Sequence, residues 1–266
     1  FIGTEDGNSE VYIMPSEGGP STRLTFDGVF AKSIAAWNEN DIIFSTDLKQ
    51  PFSRVSGLAK INKNGGQTTL LDFGIANNIS YGNPGLVLGR NTADPARWKR
   101  YKGGTAGEVW ICKNEKQFNF NNLIKLNGNL ACPMWIENRI FFLSDHEGIS
   151  NIYSCLTSGR SLKQHTFHNE YFARNARTDG KNIVYHSGAD IFIYCIASDS
   201  SEKLKIDFKS SFTDRNRKFV NPHDYLEDLA INHDGSMVSF VSRGKSFAMG
   251  TWDGPTYQQG LADGVR

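Results

Sequence analysis

Four cations fall within six residues at Arg97, Lys99, Arg100 and Lys102, interleaved with Trp98 and Tyr101 and followed by Gly103 and Gly104. A guanidinium grips a carboxylate through two parallel hydrogen bonds, and a narrow passage with low-dielectric walls concentrates the field of such charges. These residue types therefore suit capture of a carboxylate-bearing chain end, with Arg97, Lys99, Arg100 and Lys102 as candidate peptide or channel residues. The competing reading is a solvated loop whose two rings pin it to a sheet edge. Stacking of single-stranded nucleic acid on the same rings is a third.

The other chemically suggestive groups have plainer explanations. Asp145, His146 and Glu147 beside Ser144 occupy the turn that Glu5, Asp6 and Gly7 fill in an earlier copy of the same pattern. His165 and His168 straddle a strand end, where a turn or surface role is expected; a metal would need further ligands that the sequence does not supply. No Gly-x-Ser-x-Gly elbow is present, and a serine without a positioned base is inert. The glycine pairs at 18–19, 65–66 and 103–104 precede no helix, so they read as turns and not as phosphate loops. Cys112, Cys132, Cys155 and Cys195 show no Cys-x-x-Cys spacing and are expected to be buried free thiols. No catalytic residue, metal ligand or cofactor is assigned.

The elements that must position these residues are strands. Apolar runs at 42–44, 109–111, 140–143, 183–185, 191–196 and 238–241 have strand length, and eight Asn-Gly or Asp-Gly pairs supply the positive φ values of tight turns. Because several runs are apolar at consecutive positions, both faces of their sheets are expected to be covered. One unit recurs: a strand ending in a small polar pair, a polar turn, a second strand, a Gly turn and a Leu-Thr-like strand. Its landmarks at Thr4, Thr46, Gly89, Ser144, Ser187 and Ser242 are separated by 42, 43, 55, 43 and 55 residues. That spacing is the length of a propeller blade, so the fold class is all-β, a β-propeller of four-stranded antiparallel sheets. The two long intervals place insertions at residues 91–105 and 205–225, on loops where binding surfaces concentrate.

With 29 basic and 28 acidic residues the net charge is +1, so no global field points to nucleic acid or an anionic membrane. The sequence contains no apolar run of about 18 residues and opens without a basic leader and apolar stretch. A cytoplasmic location is expected.

The string GRNTADPARWKRYKGGTAGEVWI at residues 89–111 resembles the tricorn protease family. The segments GNSEVYIMPSEGGPSTRLT at 7–25, PMWIENRIFFLSDHEGISNIYS at 133–154, TDGKNIVYHSGADIFIY at 178–194 and SRGKSFAMGTWDG at 242–254 follow in the family's order. The resemblance covers essentially the whole chain. It implies a cytosolic, hexamer-forming serine peptidase that trims short peptides made by the proteasome. Its layout is a six-bladed propeller, a seven-bladed propeller, and two catalytic domains flanking a PDZ domain. On that layout residues 1–207 resemble the six-bladed propeller without its first blade. Residues 208–224 would be a linker, and residues 225–266 the opening blade of the seven-bladed propeller or a surrogate sixth blade. The implied partners are short peptides, the protein's own downstream propeller, PDZ and hydrolase domains, and further copies in a hexamer; no nucleic acid and no membrane. A ring lacking a blade is expected to expose apolar surface and to self-associate. The family's nucleophile and base have no counterpart here, and its paired substrate-anchoring arginines are not matched to positions. A TolB-like protein-interaction propeller is the alternative. A propeller glycosidase would need convergent carboxylates.

Overall fold

A computed structural model describes residues 1–266 except 39, 93–98, 115–118, 208, 210, 212–218 and 261–266. The chain divides into two compact units, Phe1–Lys205 and Ile206–Arg266. Every sheet is a simple antiparallel meander. In the first unit, sheet I comprises β1 (Ile2–Gly3), β2 (Glu10–Ile13) and β3 (Thr22–Arg23), and sheet II comprises β4 (Ala31–Asn38), β5 (Asp41–Thr46), β6 (Gly57–Asn62) and β7 (Thr69–Leu71). Sheet III comprises β8 (Asn78–Tyr81), β9 (Leu86–Arg90), β10 (Glu108–Cys112) and β11 (Asn121–Asn122). Sheet IV comprises β12 (Leu130–Ile136), β13 (Arg139–Ser144), β14 (Asn151–Leu156) and β15 (Lys163–Gln164). Sheet V comprises β16 (Ala173–Thr178), β17 (Asn182–Ser187), β18 (Asp190–Cys195) and β19 (Ser200–Lys203). The second unit is one further sheet, β20 (Leu226–Ile231), β21 (Met237–Ser242), β22 (Lys245–Gly250) and β23 (Tyr257–Gln259), entered through a 3-10 turn at Pro222–Tyr225.

The first strands of sheets II to V pack side by side in chain order, β4 on β8, β8 on β12 and β12 on β16, as the innermost strands of a propeller do. Sheet I holds only the outer three strands of a blade and packs on β4 through β1 and β2. The landmarks Thr46, Ser144 and Ser187 end the second strand of their sheets, since each blade opens with an innermost strand that the repeat unit left uncounted.

Alternation along the strands explains the consecutive apolar residues. Ile42 and Phe44 face the core shared with sheet I, whereas Ile43 between them faces the core shared with sheet III. Ile140 and Phe142 likewise face sheet III, and Phe141 and Leu143 face sheet V. Each such side chain is worth roughly 1.5–3 kcal/mol of burial. Sheet V departs from the expectation of two covered faces. Ile183 and Tyr185 are buried, but Val184 is 42% and Ile191 39% exposed, because only its sheet IV face meets a neighbour within this unit.

One backbone contact recurs at every junction between consecutive sheets. The carbonyl just before β2 in sheet I, and just before the third strand of sheets II to IV, accepts the N–H at the start of the next sheet: Ala31 to Ser9 at 2.9 Å, Ala76 to Ser56 at 2.9 Å, Leu130 to Gly107 at 3.2 Å, and Ala173 to Ser150 at 2.8 Å. The acceptor is always Ser or Gly. At Gly107 a Cβ would lie 2.0 Å from the Leu130 oxygen, so only a hydrogen fits. Six of the eight Asn-Gly and Asp-Gly glycines have the expected positive φ. Gly264 lies outside the described residues. Gly128 is the exception: its role is close approach, since a Cβ there would meet the Asp145 carboxylate at 2.6 Å.

A buried polar clip ties the third strand to the fourth within a blade. In sheet IV, Thr166 Oγ1 accepts the Ile152 N–H at 2.9 Å and donates to Asn151 Oδ1 at 2.9 Å. In sheet I, Thr25 accepts from Val11 N–H at 2.9 Å and donates to the Glu10 carboxylate. Replacing Thr166 by Val leaves the buried Ile152 N–H and Asn151 Oδ1 without that partner, at a cost of about 1–3 kcal/mol. Urea unfolding of T166V should show that loss, and T69V on the exposed end of β7 should stay within about 0.5 kcal/mol of wild type. Equal midpoints for the two variants would refute the clip.

Candidate functional site

The loop that carries the cationic cluster joins the second and third strands of sheet III. Arg97 and Trp98 lie outside the described residues; Lys99, Arg100 and Lys102 are exposed. The loop leans onto the following sheets. The Arg100 N–H donates to Asp145 Oδ2 at 2.6 Å, while the Asn129 N–H donates to Asp145 Oδ1 at 2.7 Å. Asp145 is 1% exposed, so this carboxylate belongs to the framework. Its repeat counterpart Asp47 makes only the framework half of the contact, accepting the Phe30 N–H at 3.0 Å. Arg100 sits at a φ of 55°, a conformation that a non-glycine residue holds only when its surroundings impose it. The Lys99 ammonium lies 5.3 Å from the centre of the Phe172 ring, just ahead of β16. Tyr101 is half-buried and its hydroxyl accepts from Thr105 Oγ1 at 3.2 Å.

The stem of this loop walls a cavity among the innermost strands. Buried Thr92, two residues after β9, lines a space of about 390 Å³ together with Lys32, Arg54, Asn78, Cys132 and Arg177. A second cavity of about 280 Å³ lies between the same strands and shares Asn78, Cys132 and Arg177 with the first. The first holds three cations and no carboxylate among its lining residues. Lys32 Nζ is held by the Ser53 and Val55 carbonyls at 2.5 and 3.2 Å and by Ser56 Oγ at 2.9 Å. Partial burial lowers its pKa, with Asp47 opposing. The sequence pattern overlooked Lys32, Arg54 and Arg177. Repeat alignment carries a signal for Arg177: its place opposite Val184 is held by Met134 opposite Phe141 in sheet IV and by Ala36 opposite Ile43 in sheet II. A cation at an otherwise apolar repeat position is the anomaly to look for.

The structure also assembles serine, histidine and aspartate in triad order. Ser154 Oγ lies 2.7 Å from His165 Nε2, and His165 Nδ1 lies 2.6 Å from Asp199 Oδ1. This is not a hydrolytic site. Ser154 is fully buried and its oxygen accepts from Arg139 Nε at 2.8 Å, leaving no approach for a carbonyl carbon. The group is a junction between sheets IV and V, to which the Tyr194 hydroxyl adds a 2.6 Å bond to Asp199. His165, at 8% exposure, therefore corrects the expected turn or surface role, because the sheet that buries it comes later in the chain. His168 is sandwiched similarly, with Nε2 2.9 Å from the Tyr185 hydroxyl. Among the described residues no cluster of three or more His, Cys, Asp or Glu is arranged to hold a metal. All four cysteines are free and only Cys195 is half-exposed; burial pushes the Cys155 thiol up to about 11.

Burial lowers the pKa of His165, against the smaller opposing pull of Asp199, and lowers that of His168. Both imidazoles therefore take up a proton less readily in the folded state than in the unfolded chain, where they titrate near 6.5. The unfolded chain therefore gains protons first, and stability is complete above about pH 6.5 and declines below it. Asp199 acts in a separate window. Lys163 and Tyr194 hold its carboxyl well below the usual range, so its contribution is lost only below about pH 4. Denaturation midpoints measured from pH 8 to 5 should be flat and then fall, with H165N reducing the slope. A slope unchanged by that substitution would remove His165 as its origin.

Comparison with known proteins matches residues 1–200 to the tricorn protease N-terminal beta propeller domain. The tricorn protease homolog of Saccharolobus solfataricus is 38% identical over 97% of this chain and 24% of its own length. The crystal structure of the tricorn protease superposes with a TM-score of 0.75 at 28% identity, over 97% of this chain and 25% of that one. TolB from Acinetobacter baumannii shares the fold alone, with a TM-score of 0.55 at 14% identity over 91% of this chain and 57% of TolB. The chain thus spans about a quarter of the length of the curated tricorn relative. With its blade repeat, its innermost strands and its sheet III loop, the chain belongs to the tricorn protease N-terminal β-propeller family.

Proposed function

We propose that this chain is the non-catalytic propeller portion of a tricorn-type serine peptidase, passing short peptides to or from a hydrolase site elsewhere in the full-length protein. The observation that carries the reading is the seating of the cationic loop. Its stem at Thr92 walls the cavity of the innermost strands, and buried Asp145 fixes Arg100 by its backbone, leaving the exposed side chains of Lys99, Arg100 and Lys102 available. A carboxylate entering such a site meets several cations before it meets any acid, and exclusion by the ring admits extended chains and rejects folded ones. On this reading residues 225–266 open a second propeller. The full-length protein acts in the cytoplasm as a hexamer downstream of the proteasome, with PDZ and hydrolase domains as its partners.

Fluorescence anisotropy of a dye-labelled tetrapeptide tests the loop. Free-acid peptide should bind this chain more tightly than its C-terminal amide, with affinity falling as salt rises. The double variant R97A/R100A should weaken the free-acid peptide about tenfold and flatten its salt dependence, with the amide unaffected. Unchanged affinity and salt dependence would reject the loop as a peptide anchor. The chain itself should hydrolyse no peptide above a buffer blank; turnover abolished by a serine-directed inhibitor would contradict the non-catalytic assignment.

A further inference from the structure

The innermost strands carry an aromatic position that repeats from blade to blade. Trp37 opposite Ile42, Tyr81 opposite Leu86 and Trp135 opposite Ile140 occupy one register place near the end of β4, β8 and β12, and Thr178 opposite Ile183 holds it in β16. All four line the smaller central cavity, of about 280 Å³. The turns beyond them join first strands to second, so they lie at the other end of the sheets from the cationic loop, which joins a second strand to a third. Trp135 is a fixed wall. Its backbone N–H donates to Ser80 Oγ at 2.9 Å, its Nε1 donates to the Glu137 carbonyl at 3.0 Å, and a Cβ on Gly82 would stand 2.2 Å from its ring. Trp37 is 55% and Tyr81 36% exposed. Apolar surface gathered at one mouth, unlike single scattered residues, marks a contact surface.

Behind the rings the wall is apolar, formed by Ile79, Met134 and Ala176. Among the described residues the one charged group in this lining is Arg177, and its guanidinium is engaged by the Ile34 and Ala176 carbonyls at 3.1 and 3.0 Å. A guest here gains by leaving water and not by charge. One polar group interrupts the wall. Asn78 is 7% exposed, and its Oδ1 accepts from Thr92 Oγ1 at 2.7 Å. Gly89, across the ladder from Asn78, makes room for that threonine, since a Cβ there would lie 2.2 Å from Thr92 Oγ1. The carboxamide is thereby fixed with its oxygen satisfied, while its Nδ2 has no partner among the described residues. A donor held this deep is costly to leave unmet, and its complement is a neutral carbonyl oxygen.

We propose that this cavity is a subsite for one large apolar side chain within an extended peptide, with a peptide carbonyl accepting from Asn78 Nδ2 and Trp37 covering the guest. Its volume falls just below the roughly 300–1,000 Å³ of pockets for drug-sized ligands, which suits a single residue. The subsite rests on the reading of the chain as a peptide-passing propeller, but it reads a side chain inside the peptide and makes no use of a charged chain end.

Indole N–H spectra of the 15N-labelled chain, which has five tryptophans, provide the test, with signals assigned through single Trp-to-Phe variants. Titration with uncharged acetyl-Ala-Leu-Ala-amide should move the Trp37 and Trp135 signals to saturation, and acetyl-Ala-Ser-Ala-amide should bind about tenfold more weakly. W37A, at an exposed position, should weaken the leucine peptide about tenfold as read at Trp135. N78D keeps an acceptor for Thr92 and removes the donor, and should weaken it about as much. R97A/R100A should leave the response intact. The subsite is overturned if neither indole responds, if the serine peptide binds as tightly as the leucine peptide, if W37A or N78D binds like wild type, or if R97A/R100A abolishes the response. Any of these results beside retained preference for a free-acid tetrapeptide overturns the subsite alone. Saturable leucine-peptide binding in a chain without that preference sustains the subsite and rejects the loop.

Discussion

The hydrogen bond from the start of each innermost strand to the carbonyl ahead of the last strand but one of the preceding sheet sets the spacing on which the first unit depends. It is repeated at Ser9–Ala31, Ser56–Ala76, Gly107–Leu130 and Ser150–Ala173 with distances between 2.8 and 3.2 Å. Because both partners are backbone, the contact constrains side chains only by size, and small residues occupy every acceptor position. With consecutive sheets held at one distance, each fills the space to its neighbour by alternation along its strands, so a single strand serves two cores. The cavity among β4, β8, β12 and β16 is the space that these fixed junctions leave at the middle.

Polar groups buried between the sheets are used in two ways. In sheets I and IV, Thr25 with Glu10 and Thr166 with Asn151 absorb the hydrogen-bonding needs of a third-strand N–H, with Glu and Asn exchangeable because either offers an oxygen to the threonine hydroxyl. Between sheets IV and V, Arg139, Ser154, His165 and Asp199 form a chain in which each donor meets an acceptor. The last three atoms of that chain match a hydrolase triad in order and distance. What distinguishes framework from catalyst is access: a serine oxygen already accepting from a guanidinium, under a closed sheet, has nothing to attack.

Asp145 links framework to site. As a turn residue it repeats the capping of Asp47, but its second oxygen holds Arg100, so a position common to two blades acquires a positioning role in one. Arg177 shows the same economy at a position that is apolar in sheets II and IV. Departures from the blade pattern in this propeller are single substitutions on a repeated plan.

That plan was legible from sequence. Turn glycines, strand-length runs and landmarks such as Thr46, Ser144 and Ser187 report local backbone geometry, which recurs identically in each blade and therefore repeats along the chain. The cationic cluster was legible for the same reason, since it lies in the excess length of one interval. Tertiary structure alone decided the rest. His165 is buried by a sheet that follows it, one face of sheet V is left open, and Arg177 meets Ile34 across 143 residues. Each depends on which blade stands opposite, and ring geometry brings together residues whose separation in sequence carries no pattern.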